Sequence, residues 1–173
     1  MKALKLINRA LITFLLVIGS FMAGSQIKQQ YGPAEYEIIG LASSTQYNNR
    51  GYRVHPKAFL GDVKMLEEGT TYMPLLANHA NETGSVIGQV VSLQVTKQGL
   101  LFKAKIVDTP ENHAIIGKIK RGELVGISVG FMPLQKEGDM VTVGDLYEIS
   151  VVPLGADPGA KILHIGPYVE DEQ

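Results

Sequence analysis

One stretch with side chains on one face and almost none on the other constrains this chain most. Residues 122–131 read Gly-Glu-Leu-Val-Gly-Ile-Ser-Val-Gly-Phe. In a strand, successive side chains point to opposite faces. Val125, Ile127, Val129 and Phe131 then form an apolar face that must pack into a core. Gly126, Ser128 and Gly130 form the other, where one hydroxyl stands between two positions without side chains. Glycine weakens a strand and marks places where another backbone or a ligand comes close. Two uses fit such a face. Ser128 is either a nucleophile with room for a peptide beside it, or small filler against a neighbouring strand.

The flanking segments predict more strands than helices. Tyr36–Ala42 is compact, β-branched and aromatic, and reads as a first strand. Ser43–Gly51 reads as an exposed loop, Tyr52–Val54 as a short strand, and Met73–Ala77 as an apolar strand running into Asn78-His79. Val86–Thr96 and Leu100–Val107 alternate on either side of Lys97-Gln98-Gly99, the pattern of a hairpin. Leu146–Val152 supplies another strand, with Asp145 at its start, Tyr147, Ile149 and Val151 on one face, and Glu148 and Ser150 on the other. Ala58, Phe59, Val63 and Leu66 predict a helix closed by Gly69. Thr109-Pro110-Glu111 opens a second helix with a capping hydroxyl, a proline at the first position and a dipole-matched acid. Its expected buried stripe is Ala114, Ile115, Ile119 and Ile116, with Gly122 as a left-handed stop. Six or seven strands with two interspersed helices make an α+β chain with a curved or closed sheet.

At 173 residues, 45% hydrophobic and 19% charged, the chain is long enough for one well-buried core. A net charge of -1 gives no general affinity for nucleic acid or acidic membranes. Without cysteine there is no disulfide, thiol nucleophile or thiolate metal site. The four histidines lack ligand spacing, so no metal and no cofactor is expected. Residues 1–25 form a hydrophobic segment in which Lys2, Lys5 and Arg9 precede the apolar run Ala10–Ala23. It has the layout of a signal peptide, is short for a membrane anchor, and would not be made at all if translation began at Met22. Residues 26–35 read as a linker, 36–165 as the domain, and 166–173 as an acidic tail.

A hydroxyl nucleophile needs a base within reach, and the base needs an orienting partner. His79 at a strand end and Glu148 inside an apolar strand are the candidates to join Ser128. Each has a plainer use: His79 as a hydrogen-bonded structural residue, Glu148 on a solvated face or paired with Lys103 or Lys105. His113 falls on the exposed side of its helix, and His55 and His164 lie beside turns.

Taken in order, the motifs resemble those of the prohead (capsid-maturation) serine proteases of tailed phages, distant kin of the herpesvirus assembly proteases. Tyr36–Ser44 resembles the family's opening strand and loop, and Val54–Phe59 its Val-x-Pro-Gly-Ala-Phe element, with Lys57 in place of the usual Gly. Met73–His79 is similar to the segment carrying the catalytic His, although Ala80 stands where an acidic residue is common. Ile87–Val91, Gly99–Ala104 and Asp108–Glu111 follow in family order. Gly126–Phe131 resembles the nucleophile strand, Leu146–Pro153 the later strand, and Ala156–Ala160 the closing turn.

The resemblance implies a herpesvirus-protease-like fold: a small β-barrel of six to seven strands surrounded by helices. It implies a serine endopeptidase that cleaves scaffold and capsid-protein segments, and itself, inside the procapsid in the host cytoplasm. Ser128 is then the nucleophile, His79 the base and Glu148 the third member, with Asp145 as the alternative, since the related viral enzymes use a second His there. Gly126 and Gly130 would leave a cleft for substrate. The oxyanion would meet backbone amides of glycine-rich segments, helped by an arginine. Partners are the major capsid protein and scaffold, with no nucleic acid; homo-oligomers are compatible. Two other readings remain open: a capsid-assembly or scaffold-binding module without turnover, and a protease homologue tethered to a membrane or exported through residues 1–25.

Overall fold

The computed structural model of the chain describes residues 33–80 and 82–169. The hydrophobic segment, most of the linker and the end of the acidic tail lie outside the described residues. Elements follow in the order β1 (Glu35–Ser44), β2 (Arg53–Val54), α1 (Leu60–Glu67), β3 (Pro74–Ala77), β4 (Val86–Thr96), β5 (Gly99–Val107), α2 (Pro110–Lys120), β6 (Gly126–Glu137), β7 (Met140–Val152) and β8 (Lys161–Pro167). Seven strands close a mixed barrel in the ring order β7-β3-β4-β5-β1-β8-β6, with β6 pairing back to β7. Strand β2 attaches to β7 outside the ring. Strands β2 and β3 run parallel to β7. Closure removes the unpaired edges that an open sheet of this size would expose, except along β6, which β8 meets only at Gly126.

Alternation decides which residues fill the barrel. On β5, Leu100, Phe102, Ala104 and Ile106 are all buried. Lys103 and Lys105 point outward between them, toward Glu37 and Glu35 of β1. Fully burying a side chain such as Phe102 contributes about 1.5–3 kcal/mol. The expected hairpin forms, with Thr96 opposite Gly99 across Lys97-Gln98. One strand lies where no element is expected: β8 pairs with β1 from Tyr36 to Leu41 and runs two residues into the presumed tail. Another is longer than expected, because β7 begins at Met140 rather than Leu146.

Helix α2 starts and stops as its sequence predicts. Thr109 accepts the Asn112 N–H, Pro110 takes the first position, and Gly122 ends the helix at φ +71°. Its inward stripe differs from expectation: Asn112, Ile116 and Ile119 are buried, and Ala114 faces solvent. The Asn112 amide donates to the carbonyls of Ile87 (3.0 Å) and Val107 (2.9 Å), fastening the helix to β4 and β5. A polar residue can sit inside because both its amide protons meet strand-end carbonyls.

Helix α1 repairs a gap in the barrel wall. On one flank of β7, β2 covers Met140–Val141 and β3 covers Ile149–Val151. Between them, Gly144 N–H donates to Ala58 O (3.0 Å) and Leu146 N–H to Asp62 Oδ1 (3.2 Å). Asp62 is only 3% exposed. Burial pushes its carboxyl pKa up; the Leu146 N–H opposes this, and the charge of Asp145 adds to it.

Two outcomes follow from these polar anchors. Asn112→Ala removes both of these hydrogen bonds, leaving Val107 O with only the Thr109 N–H (2.9 Å), and should lower unfolding stability by about 1–3 kcal/mol, read from urea denaturation. A raised carboxyl pKa makes the folded state hold its proton more tightly than the unfolded chain does. The contribution of Asp62 is therefore most favourable below its ordinary pKa and declines as pH rises through the folded-state value. Asp62→Asn keeps an acceptor for Leu146, so its stability relative to wild type should rise between acid and neutral pH. A pH-independent difference would contradict this account.

Candidate active site

Three adjacent strands deliver the candidate residues. Ser150 of β7 lies between Leu76 of β3 and Ser128 of β6 in the sheet register. His79 follows β3 by two residues. Asn78 N–H continues the ladder to Val151 O (3.1 Å), and the backbone then turns through left-handed geometry at Asn78 (φ 58°) and His79 (φ 57°). Two successive non-glycine residues in that region are costly and persist only where the surroundings hold them. Here the holding contact is His79 N–H to Ser150 Oγ (3.2 Å).

The turn brings the His79 ring over β7. Nδ1 lies 2.6 Å from Glu148 Oε1, and the Ser150 hydroxyl donates to Glu148 Oε2 at 2.6 Å. The Glu148 side chain is 8% exposed and that of His79 42%. A carboxylate this buried requires donors, and it has one at each oxygen. With the Nδ1 proton directed at the carboxylate, Nε2 is the free acceptor. His79, Glu148, Gly130 and Ser128 line one cavity of about 720 Å³. The structure thus brings the three expected side chains to one place, with the hydrogen-bonded pair being His79 and Glu148.

Asp145, the alternative to Glu148, is exposed opposite Met132 and lines a separate depression with Asp62. Gly130 lines the cavity, and a Cβ on it would overlap Glu148 Oε1 and come within 2.6 Å of Tyr147. Gly126 is not among the lining residues; a Cβ there would lie 2.5 Å from Val152 O. Val125, expected on the apolar face, is 44% exposed because the strand begins after it. The β6–β7 register passes from Gly130–Glu148 to Phe131–Leu146 and skips Tyr147. That bulge puts Leu146 on the core face with Ile149 and leaves Tyr147 exposed, so Tyr147 does not share the buried face expected for it, while Glu148 keeps the face of Ser150.

Ser150 has a role that the sequence did not disclose. Its hydroxyl joins the backbone of His79 to the carboxylate of Glu148, yet in sequence it is one small polar residue in an apolar strand. The only available signal was its position two residues from Glu148, on the same face.

Residues 38–169 match the family described as caudovirus prohead serine protease. No curated protein matches the chain in sequence. Among solved structures, the Kaposi's sarcoma-associated herpesvirus (KSHV) protease in complex with a hexapeptide phosphonate inhibitor aligns with a TM-score of 0.53 at 13% identity. That alignment covers 76% of this chain and 65% of the KSHV chain. The varicella-zoster virus protease aligns with a TM-score of 0.48 at 14% identity, over 76% of this chain and 64% of that one. The chain therefore spans less than two thirds of either viral protease, and the likeness is one of fold.

Gly130→Ala tests the packing of the site. The atom it would displace ends a flexible side chain, but that end is pinned by His79 and Ser150. The variant should lose about 1–3 kcal/mol of stability and perturb the His79 ring signals in NMR. Unchanged His79 signals would show that the carboxylate has room to move aside.

Proposed function

The chain belongs to the caudovirus prohead serine protease family, and from that premise we propose that it is a serine endopeptidase acting inside the phage procapsid in the host cytoplasm. Ser128 is the nucleophile in this reading, His79 the general base, and Glu148 the carboxylate that holds the ring. The observation that carries it is the 2.6 Å contact from His79 Nδ1 to a buried carboxylate, at a cavity shared with Ser128.

His79 Nε2 takes the hydroxyl proton as Ser128 Oγ attacks the scissile carbonyl carbon. The tetrahedral adduct collapses to an acyl-enzyme, and His79 passes the proton to the departing amine. Water then repeats the sequence, releasing the acid and restoring Ser128. Glu148 offsets the imidazolium charge in both halves, where proton transfer of this kind typically contributes about 10²–10⁴ in rate. Substrates are extended segments of capsid and scaffold proteins, and of the chain itself. A feature of β6 supports an extended substrate: β8 reaches that strand at Gly126, Ile127 N–H donates to Ala160 O (3.3 Å), and beyond Ile127 β6 pairs with β7 alone among the described residues. Its open edge beside Ser128 offers backbone groups to a peptide strand.

Fluorophosphonate labelling and cleavage of co-expressed capsid and scaffold proteins test this reading. Wild type should be labelled and should cleave. Ser128→Ala should lose both, by about 10³-fold or more in rate, with an unchanged melting temperature. Cleavage by Ser128→Ala at the wild-type rate would sink the assignment.

A further inference from the structure

The cavity beside Ser128 has two chemically different ends. Strand β6 lies between β7 and β3 on one flank and β8 and β1 on the other. On the first flank, beyond His79 and Glu148, the lining is apolar and aromatic: Tyr72, Leu76, Val86 and Tyr147. Tyr72 and Tyr147 are each 58% exposed, unusual for two large rings beside one cavity unless something covers them. On the other flank the lining comes from the loop between β1 and β2, which carries Gln46, Asn48 and Arg50.

Arg50 is the one lysine or arginine among the lining residues, and it is exposed. Both lining carboxylates are already engaged. Glu148 is held by His79 and Ser150. Asp157 accepts from Ser44 N (2.5 Å), Ser44 Oγ (2.6 Å) and Gly159 N (2.8 Å). Arg53 and Arg121 have carboxylate partners in Asp139 and Glu123, whereas Arg50 makes no ion pair among the described residues. Its position is nevertheless fixed by the backbone. Asn48 Oδ1 accepts from Arg50 N (2.9 Å) and Tyr52 N (3.2 Å), and Asn49 N–H donates to Ala156 O (2.8 Å). Bracing spares the cost of ordering the loop backbone when a carboxylate binds, and the planar guanidinium fork matches that partner.

We propose that Arg50 determines specificity at this site: the cavity takes peptide segments with an acidic side chain on the Arg50 side of the scissile bond and a bulky apolar one on the Tyr72–Tyr147 side. The proposal rests on the reading of this cavity as a peptide-cleaving site. The test measures binding without turnover. Full-length Ser128→Ala protein is titrated by fluorescence anisotropy against fluorescein-labelled peptide sets in which each position in turn is fixed as Glu, Gln or Lys.

At one position Glu should bind about tenfold tighter than Gln, the lower end of what a charge-assisted hydrogen bond contributes. The preference should shrink as salt is raised. Adding Arg50→Gln should bring Glu and Gln within about twofold, and Arg50→Glu should turn the preference toward Lys. The proposal is overturned if no position favours Glu or if the preference survives Arg50→Gln. It is also overturned if Arg50→Gln weakens every peptide equally, as a general effect on the loop or on the oxyanion would. Fluorophosphonate labelling of the wild type keeps the two readings apart. Failure to label with the Glu preference intact removes the nucleophile assignment alone; labelling without that preference removes the role of Arg50 alone.

Discussion

The site depends on a carboxylate that water barely reaches. Removing an ionised carboxyl from solvent costs several kcal/mol unless donors replace the lost hydration. Glu148 meets that requirement with His79 Nδ1 at one oxygen and the Ser150 hydroxyl at the other. The neighbouring constraints follow. Gly130, directly across on β6, has no Cβ because the carboxylate occupies the space. The bulge at Tyr147 puts Leu146 in the core and leaves a large ring exposed beside the carboxylate. The left-handed turn at Asn78–His79 is held by the same Ser150 that serves Glu148. One hydroxyl therefore fixes both the backbone of the base and the orientation of the acid.

Barrel closure explains why these groups meet. Hydroxyl, carboxylate and imidazole come from β6, β7 and the end of β3, which are neighbours in the ring although about 70 residues separate His79 from Glu148. Strand β7 is the common member, bonded to β6 along its length and to β3 at its C-terminal end. The missing wall between β2 and β3 would leave the N–H groups of Gly144 and Leu146 without partners just before Glu148. Helix α1 and the turn preceding it supply Asp62 and the Ala58 carbonyl there. A second buried carboxylate thus supports the strand that carries the first. Its raised pKa marks the electrostatic cost of that arrangement.

Local rules made much of this fold legible and failed at identifiable points. The period-two pattern of β5, the Thr109-Pro110 start of α2 and its Gly122 stop depend on neighbours in sequence, and they form as their residues predict. Candidates Ser128, His79 and Glu148 were legible as residue types on strands, and their motif order resembled a family. Their convergence was not, because no local pattern encodes which strands adjoin in a closed ring. The bulge at Tyr147 defeated strict alternation, since one inserted residue reverses every facing residue before it. Asn112 is buried in place of Ala114 because its amide reaches the strand-end carbonyls of Val107 and, across the fold, Ile87. Strand β8 carries no clear local signal because Lys161–Pro167 interrupts three aliphatic residues with Lys, His, Gly and Pro, and it gains its order by pairing with β1.

The division of labour within the cavity has a consequence for how such a site can vary. The His79–Glu148 pair is anchored to β7, through Glu148 itself and through Ser150, which holds the His79 backbone. The β1–β2 loop is braced separately, by Asn48 bonding to its own turn and by Asn49 bonding to Ala156. A second tie joins Arg53 to Asp139 at the tip of the β6–β7 hairpin. None of these contacts involves His79, Glu148 or Ser150. A side-chain change at position 50 alters what the cavity presents to a peptide while leaving the support of the imidazole intact. The loop that carries Arg50 and the strands that support His79 and Glu148 are thus held by separate contacts around one cavity, and substitution can alter the first with the barrel held constant.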